Sequence, residues 1–444
     1  MYILNNLRAK LKNNDLLKHN AIFFVGTMLI SAFNYLYYPV LGRLVSVSDF
    51  GEIQAVISIF MQLGIILTAF GYIITNVVGN THGKQSRELI LKLEQIMVIA
   101  SIVGLLLLTF LASNLKSDLK LSSILPILLV GLLVVVNVPS TARAYILQGE
   151  KHLKEVSIAG IVYALGKLIV SVALIYMLTN DVLAAVLGYI VAQVLMLWYV
   201  AQNTKQDYVS VAESFSLFRS WRISKEWQVL IRKEIIYGVV IMVILSGLTL
   251  LYSSDTILAR LFFAPHELGL YSAVASIARI IFFITASVAG VLVATVRINA
   301  PAKDNHSILL KSLLIVTAIG GICTLLFALA PKLFVTILVG HAYLGGAQWL
   351  PLLSVMIFVC AINNLLATYQ IALRKYLAII PVVLGMIVCG IGLAYFHANF
   401  YEFITVLLVA NLVTGVLLSI EVLVEKKRGT IDGEGSVVGR PAEL

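Results

Sequence analysis

The sequence predicts an all-α polytopic membrane protein with twelve transmembrane helices, in two parallel six-helix bundles around a central cavity. Three observations support this fold class: an apolar composition, long apolar segments with short polar gaps, and an internal repeat. Of the 444 residues, 60% are hydrophobic and only 12% are charged, about half the charged fraction of a soluble domain. The composition therefore leaves no room for a soluble domain of any size.

Twelve segments have the length and composition of membrane-crossing helices. A helix rises about 1.5 Å per residue, so about 20 residues cross the hydrocarbon core. The segments are too long and too uniformly apolar to be strands of a transmembrane barrel. We predict spans at 20–42, 53–78, 93–113, 124–146, 156–178, 182–201, 235–256, 269–295, 308–330, 350–373, 377–398 and 403–424.

Basic residues are distributed unevenly between the two sides of the predicted membrane. If the N-terminus is cytoplasmic, most Lys and Arg residues fall on the inner side, as the positive-inside rule requires. The outer loops then contain Arg43, Lys116, Lys120, Arg260 and Lys332. We therefore predict that both termini are cytoplasmic. The net charge of +10 reflects basic inner loops and does not indicate a nucleic-acid partner.

Two segments about half a chain apart, 41–59 and 258–277, share one pattern. In each, an apolar segment ends in Arg, a short polar loop follows with Gly, and a second apolar segment begins. An even number of spans separates the copies, so the halves share one orientation and are expected to enclose a cavity. The matched pairs include Arg43 and Arg260, Gly51 and Gly269, Gln54 and Ser272, and Ser58 and Ser276.

The spans and the repeat divide the chain into four regions. Residues 1–201 form an N-terminal six-helix bundle, and residues 235–424 form a C-terminal one. Residues 202–234 are predicted to be a cytoplasmic interfacial linker, since aromatic residues there alternate with Arg and Lys; a solvated linker is the alternative. The polar residues 425–444 are predicted to be a disordered cytoplasmic tail.

The sequence contains none of the common catalytic or metal-binding signatures. The seven His residues fall in loops or at span ends, and the three Cys residues fall inside apolar segments. There is no HExxH, P-loop or GxSxG motif, and no acidic residue lies near the middle of a predicted span. We therefore expect no enzyme activity, no catalytic residue, no metal site and no cofactor.

Two basic residues, Lys167 in span 5 and Arg279 in span 8, lie well inside predicted spans. A charge at the centre of a membrane helix costs roughly 3 kcal/mol in insertion assays, so it usually faces a cavity or a partner. Because no acidic residue is expected nearby, we predict that both cations bind an anion that the substrate supplies. The alternative is a structural role, in which they bond backbone carbonyls or unseen partners.

Polar residues at helical spacing accompany these cations, so that each set occupies one face of its helix. They form the rest of the predicted substrate site. Its residues are Asn34 and Tyr38 in span 1, Gln54, Ser58 and Gln62 in span 2, Tyr163 in span 5, and Ser272 and Ser276 in span 8. The predicted rim of the cavity comprises Arg43, Arg260 and Asp255, with ordinary snorkelling to the interface as the alternative for the two arginines.

Three sequence motifs resemble those of a known family. They are the GRL corner at 42–44 followed by DFG at 49–51, Arg143 followed by LQG at 147–149, and PHELGLY at 265–271. Together they resemble the polysaccharide exporters of the multidrug/oligosaccharidyl-lipid/polysaccharide flippase superfamily, over about residues 15–425. Leu153 departs from the family pattern, which has an aromatic residue there.

The resemblance implies two six-helix bundles that move undecaprenyl-pyrophosphate-linked oligosaccharides, used in surface polysaccharides such as O-antigen, to the outer leaflet. It implies a multi-pass protein of the inner (cytoplasmic) membrane. Its expected partners are the polyprenyl-pyrophosphate-linked glycan, the bilayer, and a polysaccharide polymerase and glycosyltransferases. The alternatives are a cation-coupled multidrug extruder of the same fold, which should have a mid-membrane carboxylate, a membrane enzyme, and a scaffold.

Overall fold

The computed structural model describes residues 15–80, 84–204, 213, 215, 225–296 and 300–435, and these are helical without any strand. The N-terminal half contains α1 (Asp15–Leu44), α2 (Val47–Asn80), α3 (Lys84–Asp118), α4 (Leu125–Gly149), α5 (Leu153–Met177) and α6 (Asp181–Asn203). The C-terminal half contains α7 (Lys225–Ser253), α8 (Asp255–Phe262), α9 (Pro265–Ala278), α10 (Ile280–Thr295), α11 (Ala302–Leu329), α12 (Pro331–Leu338), a 3₁₀ helix (His341–Trp349), α13 (Leu350–Ala372), α14 (Ile379–Tyr395) and α15 (Phe400–Gly435).

Each of the twelve predicted spans coincides with helical structure. Among the described residues, nine helical segments are long and apolar enough to cross a membrane, and the bent pair α7–α8 makes ten. The other two predicted spans are α1 and α14, a shorter apolar helix of 17 residues. The predicted all-α membrane fold is confirmed.

Local sequence features account for several helix starts. The Ser46 hydroxyl accepts a hydrogen bond from the Asp49 amide (3.1 Å) and donates one to the Asp49 carboxylate (2.6 Å), which caps α2. The Asn180 side chain caps α6 by accepting a hydrogen bond from the Leu183 amide at 2.9 Å. Proline stands in the first turn of α4, α9, α12 and α13, where its missing N–H has no helical partner to lose.

Spans 7 and 8 are interrupted, which the sequence analysis did not predict. Span 7 bends by 54° between α7 and α8, at Ser254. In span 8 the break is the single residue Arg279 between α9 and α10, and the helical segment continues across it to membrane-spanning length. Neither break contains Gly or Pro, so neither could be predicted from a local helix-breaking residue. Both breaks lie at buried polar residues instead.

The two halves meet through α1 and α2 on one side and α7 to α10 on the other. Helix α2 packs against α7, α8 and α9, and α1 packs against α10. The α2–α7 and α1–α10 contacts are equivalent under the repeat. At the centre, Gly51 of α2 lies against Gly269 of α9, so close that a Cβ on Gly51 would be 3.0 Å from the Gly269 Cα. Because these glycines are matched in the repeat, their contact marks the pseudo-twofold axis.

The segments outside the two bundles differ partly from the prediction. Helix α7 begins at Lys225, inside the predicted linker, and α15 extends to Gly435, so the expected disordered tail is helical over its first residues. The stretch 425–428 (EKKR) consists of good helix formers, which explains this extension. Most of the linker and residues 436–444 lie outside the described residues, so the interfacial linker and the region boundaries stay predictions.

Candidate functional site

Lys167 lies in an aromatic cage inside the N-terminal half. The residue is 4% exposed, and its Nζ lies 5.0 Å from the ring centres of Tyr37 and Tyr189 and 5.7 Å from that of Tyr163. The rings belong to α1, α6 and α5, which pack together. Within the described residues no carboxylate forms an ion pair with Lys167. Its ammonium is therefore stabilised by the faces of three aromatic rings.

Arg279 has an intramolecular partner, so the expectation of two unpaired cations is wrong for this residue. Its guanidinium forms an ion pair with Asp255 and also donates to the Tyr252 carbonyl oxygen at 3.3 Å. The other Asp255 carboxylate oxygen accepts a hydrogen bond from the Tyr271 hydroxyl at 2.8 Å. Asp255 is 0% exposed. The ion pair thus joins the break in span 7 to the break in span 8.

The predicted position of Asp255 at the outer rim does not fit its ion pair with Arg279, which lies well inside span 8. A straight span 7 would end just after Asp255, whereas the helix bends at Ser254 and α8 continues the chain by eight residues. Asp255 therefore lies further from the end of span 7 than a straight helix would place it. The carboxylate that was thought to be missing from the membrane interior is the partner of Arg279.

The predicted polar face of α2 contacts the break in span 7. The Ser58 hydroxyl donates to the Ser253 carbonyl oxygen at 3.1 Å, and the Gln62 amide donates to the Ser254 hydroxyl. These bonds cross between the halves and provide a partner for backbone that the bend exposes. Gln54, Ser272 and Ser276 are buried in the same interface. The polar faces of the two halves therefore contact protein here rather than an open cavity.

Tyr38 connects the cage of Lys167 with the C-terminal half. Its ring lies 5.8 Å from that of Tyr37 and stacks at 6.3 Å on the ring of Phe283 in α10. Tyr38 also interacts electrostatically with Arg279. The two buried cations therefore lie on opposite sides of the interface, with a pair of tyrosines between them.

A cavity of about 350 Å³ lies between α1 and α10. Its wall is mostly apolar and carries the hydroxyl-bearing residues Ser31, Tyr35 and Ser287. The equivalent α2–α7 contact is filled, for example by Ile73 packed against Gly238. The α1–α10 contact thus leaves a cavity beside the place where Tyr38 packs on Phe283. Asn34, predicted to face the cavity, is half-buried and does not line it.

The other predicted rim residues, Arg43 and Arg260, lie in contacts between the halves. Arg43 of α1 donates to the Ile337 carbonyl oxygen of α12. Arg260 is 1% exposed and forms an ion pair with Glu52 of α2 at 3.7 Å. Snorkelling to the interface does not describe the buried Arg260, and its rim role stays a prediction. Glu52, which directly follows Gly51 of the repeat, was not among the predicted site residues.

A third buried ion pair, besides Asp255–Arg279 and Glu52–Arg260, was also not predicted. Arg143, part of the motif after span 4, pairs with Glu94 of α3 at 2.7 Å. Near it, the Asn137 side-chain oxygen accepts hydrogen bonds from Gln193 (2.7 Å) and Thr141 (2.8 Å). These residues tie α3, α4 and α6 together. Among the described residues, no group of three or more His, Cys, Asp or Glu side chains is placed to hold a metal ion.

Comparisons with known proteins agree with this architecture. A family model described as "Polysaccharide biosynthesis protein" matches residues 16–293. No curated protein sequence gives a significant match. This match covers more than half of the chain and confirms the polysaccharide family that the sequence motifs resemble.

Three solved structures illustrate the shared fold. The lipid II flippase MurJ in an inward closed conformation has a TM-score of 0.67 at 11% identity, covering 90% of this chain and 87% of its own. An inward-facing multidrug resistance MATE family transporter of the MOP superfamily has a TM-score of 0.65 at 12% identity, covering 92% and 99%. The eukaryotic MATE transporter AtDTX14 has a TM-score of 0.65 at 14% identity, covering 92% and 96%. At these identities the likeness concerns the fold alone.

Proposed function

The chain belongs to the polysaccharide biosynthesis protein family, and from this premise we propose that it is a lipid-linked oligosaccharide flippase. Its substrate is an undecaprenyl-pyrophosphate-linked repeat unit for surface polysaccharide, such as O-antigen. It moves this unit from the cytoplasmic to the outer leaflet of the inner membrane by alternating access of its two halves.

The observation that carries this proposal is the environment of Lys167, a buried lysine surrounded by aromatic rings. A lysine buried in the membrane without a carboxylate partner is costly unless it serves a ligand or a pathway. A pyrophosphate supplies the missing negative charge, and the cage of Tyr37, Tyr163 and Tyr189 holds the ammonium until it arrives. Arg279 already has Asp255, so Lys167 is the better candidate for the first contact with the anion.

The cavity between α1 and α10 supports a substrate with a hydrocarbon chain. Its mostly apolar wall suits a polyprenyl chain, and its hydroxyl groups suit the polar end of the lipid. Helix α1 contributes Tyr35 to the cavity wall and, from its opposite face, Tyr37 to the cage, so a shift of α1 changes the surroundings of the cavity and of Lys167 together. Pro39 interrupts the hydrogen bonding of α1 and allows such a shift.

The membrane potential favours export of this substrate. Moving two net negative charges outward releases about 4.6 kcal/mol per 100 mV, inside negative. A polysaccharide polymerase and glycosyltransferases are the partners expected from the same route, with the bilayer as the medium. The proposed role requires no catalysis.

Cation-coupled multidrug extrusion is the second candidate, and one observation favours it. Asp255 is a buried carboxylate at a helix break, which is the feature that this alternative requires. However, Asp255 is neutralised by Arg279 and bonded by Tyr271, so it lacks a free oxygen face for a cation. The flippase therefore accounts better for the arrangement of charges.

The test is transport by purified protein in vesicles, with a fluorescent polyprenyl-pyrophosphate oligosaccharide as substrate. Lys167→Gln should reduce translocation to background while the protein remains folded. The matched control is Lys311→Gln, since Lys311 is an exposed basic residue of α11. Normal translocation by Lys167→Gln, or export of a cationic drug in place of the glycan lipid, would refute the proposal.

A further inference from the structure

The outer ends of the two halves are joined by contacts that centre on the Glu52–Arg260 ion pair. Both side chains are almost completely buried, with 6% and 1% exposure. Glu52 lies in the first turns of α2, next to the Gly51–Gly269 contact. Arg260 lies in α8, beyond the break in span 7. The ion pair thus links the N-terminal half to the outermost part of the C-terminal half.

A loop of the N-terminal half completes this cluster. Glu52 accepts hydrogen bonds from the Ser122 hydroxyl (2.7 Å) and amide (3.0 Å), in the connection between α3 and α4. Arg260 donates to the carbonyl oxygens of Leu119 and Lys120 in the same connection. In return, the Lys120 Nζ donates to the Phe263 carbonyl oxygen at 3.0 Å. Four polar groups therefore close the outer side of the interface.

The repeat lacks a second copy of this ion pair. Arg43 is the counterpart of Arg260, but the counterpart of Glu52 is Leu270, which directly follows Gly269. Arg43 accordingly bonds only the Ile337 carbonyl oxygen in the described structure. A feature that the duplicated architecture does not require, and that buries two charges, is better explained by a specific role than by general packing.

The ion pair is also well suited to being broken. The Nη1 atom of Arg260 is buried without a partner among the described residues, and the closest approach to Glu52 is 3.7 Å. When the halves separate at their outer end, both groups become accessible to water, which solvates each charge. The closed state therefore depends on an ion pair whose two charges lose little free energy when water replaces their mutual contact.

We propose that Glu52 and Arg260 form a latch that keeps the outer side of the transporter closed, and that its release accompanies the opening of the path to the outer leaflet. In the closed state the latch shields the interface one turn further inward, where Ser272 is buried. The inference concerns the conformational equilibrium; it uses the predicted membrane orientation, and it rests on the proposed transport only for its biological use.

The experiment measures access from outside to a cysteine below the latch. Ser272→Cys is introduced into a chain whose three cysteines, Cys323, Cys360 and Cys389, are replaced by Ala. The reagent is a membrane-impermeant maleimide applied to intact cells. With the latch intact, labelling should be slow. Glu52→Gln, which removes the charge and keeps the side-chain length, should raise the labelling rate by about tenfold or more.

Two further variants make the result decisive. Asp118→Asn, an exposed acidic residue at the end of α3, removes the same charge nearby and should leave the rate unchanged. Ser122→Ala removes only a hydroxyl that orients Glu52, and a smaller increase is expected. If the Glu52→Gln protein does not accumulate in the membrane, the labelling rate of the Ser122→Ala variant tests the latch in its place. Unchanged labelling in the folded latch variants, or equally fast labelling with the latch intact, overturns the proposal.

The outcome is independent of the transport assay. If Glu52→Gln raises the labelling rate but the protein moves no glycan lipid, the latch proposal is retained and the flippase proposal is rejected. If transport depends on Lys167 but the labelling rate is the same in all latch variants, the flippase proposal is retained and the latch is rejected.

Discussion

Asp255 and Arg279 form a buried ion pair between two helix breaks, one in span 7 and the other in span 8. The Asp255 carboxylate follows the 54° bend at Ser254, and Arg279 separates α9 from α10. An ion pair at such a position fixes the directions of two membrane helices at once. The ion pair also lies at the start of α8 and directly after the end of α9, and both helices pack against α2 of the other half.

The first prediction concerns this ion pair. Asp255→Asn or Arg279→Gln alone leaves an uncompensated buried charge, and each should destabilise the folded protein by about 3–5 kcal/mol. The double variant removes both charges, so its loss should be clearly smaller than the sum of the two single losses. Thermal unfolding of the purified protein in detergent measures this. Additive losses would show that the two residues act independently.

The second prediction concerns the glycines on the pseudo-twofold axis. A Cβ on Gly269 would collide with the Val47 carbonyl oxygen, which is backbone and cannot move aside. Gly269→Ala should therefore cost about 1–3 kcal/mol and loosen the outer contact. Gly290→Ala in α10 is the control, since nothing lies within 4 Å of its added Cβ. Equal unfolding temperatures for the two variants would contradict the close approach.

The third prediction concerns the cavity between α1 and α10. Ser287 lines it, and Ser287→Trp should fill part of its volume of about 350 Å³. Translocation of the polyprenyl-linked glycan should then fall at least severalfold, because the hydrocarbon chain loses its path, while the unfolding temperature changes little. Leu314→Trp, at a residue of α11 that is 74% exposed, controls for the bulk of the new side chain. Similar transport by both variants would argue against the cavity as the path.

The fourth prediction concerns topology. Asn203 at the end of α6 and Lys332 at the start of α12 are both exposed and fall on opposite sides in the predicted orientation. In the cysteine-free chain, Lys332→Cys should react with an impermeant maleimide in intact cells. Asn203→Cys should react only after the cells are opened. The reverse pattern would invert the assignment of inside and outside.

Much of the architecture could be predicted because it depends on local and periodic properties. Apolar length alone predicts a membrane-crossing helix, so the twelve spans appear as expected. The match of Gly51 with Gly269 was visible as a repeat, and the contact between them follows from the axis that relates equal halves. The family was recognisable from short motifs and their order along the chain.

The sequence by itself determined the membrane class, the duplicated architecture and the presence of two costly cations, because composition, periodicity and repeats are properties of the chain alone. Only the tertiary structure decided which cation has a partner. Asp255 reaches Arg279 through a bend that has no Gly or Pro, and Glu52 reaches Arg260 across the interface. The partners of the first pair are 24 positions apart in the sequence and those of the second pair are 208 apart. They meet only when the helices pack, since ion pairing depends on distance in space and not on distance along the chain.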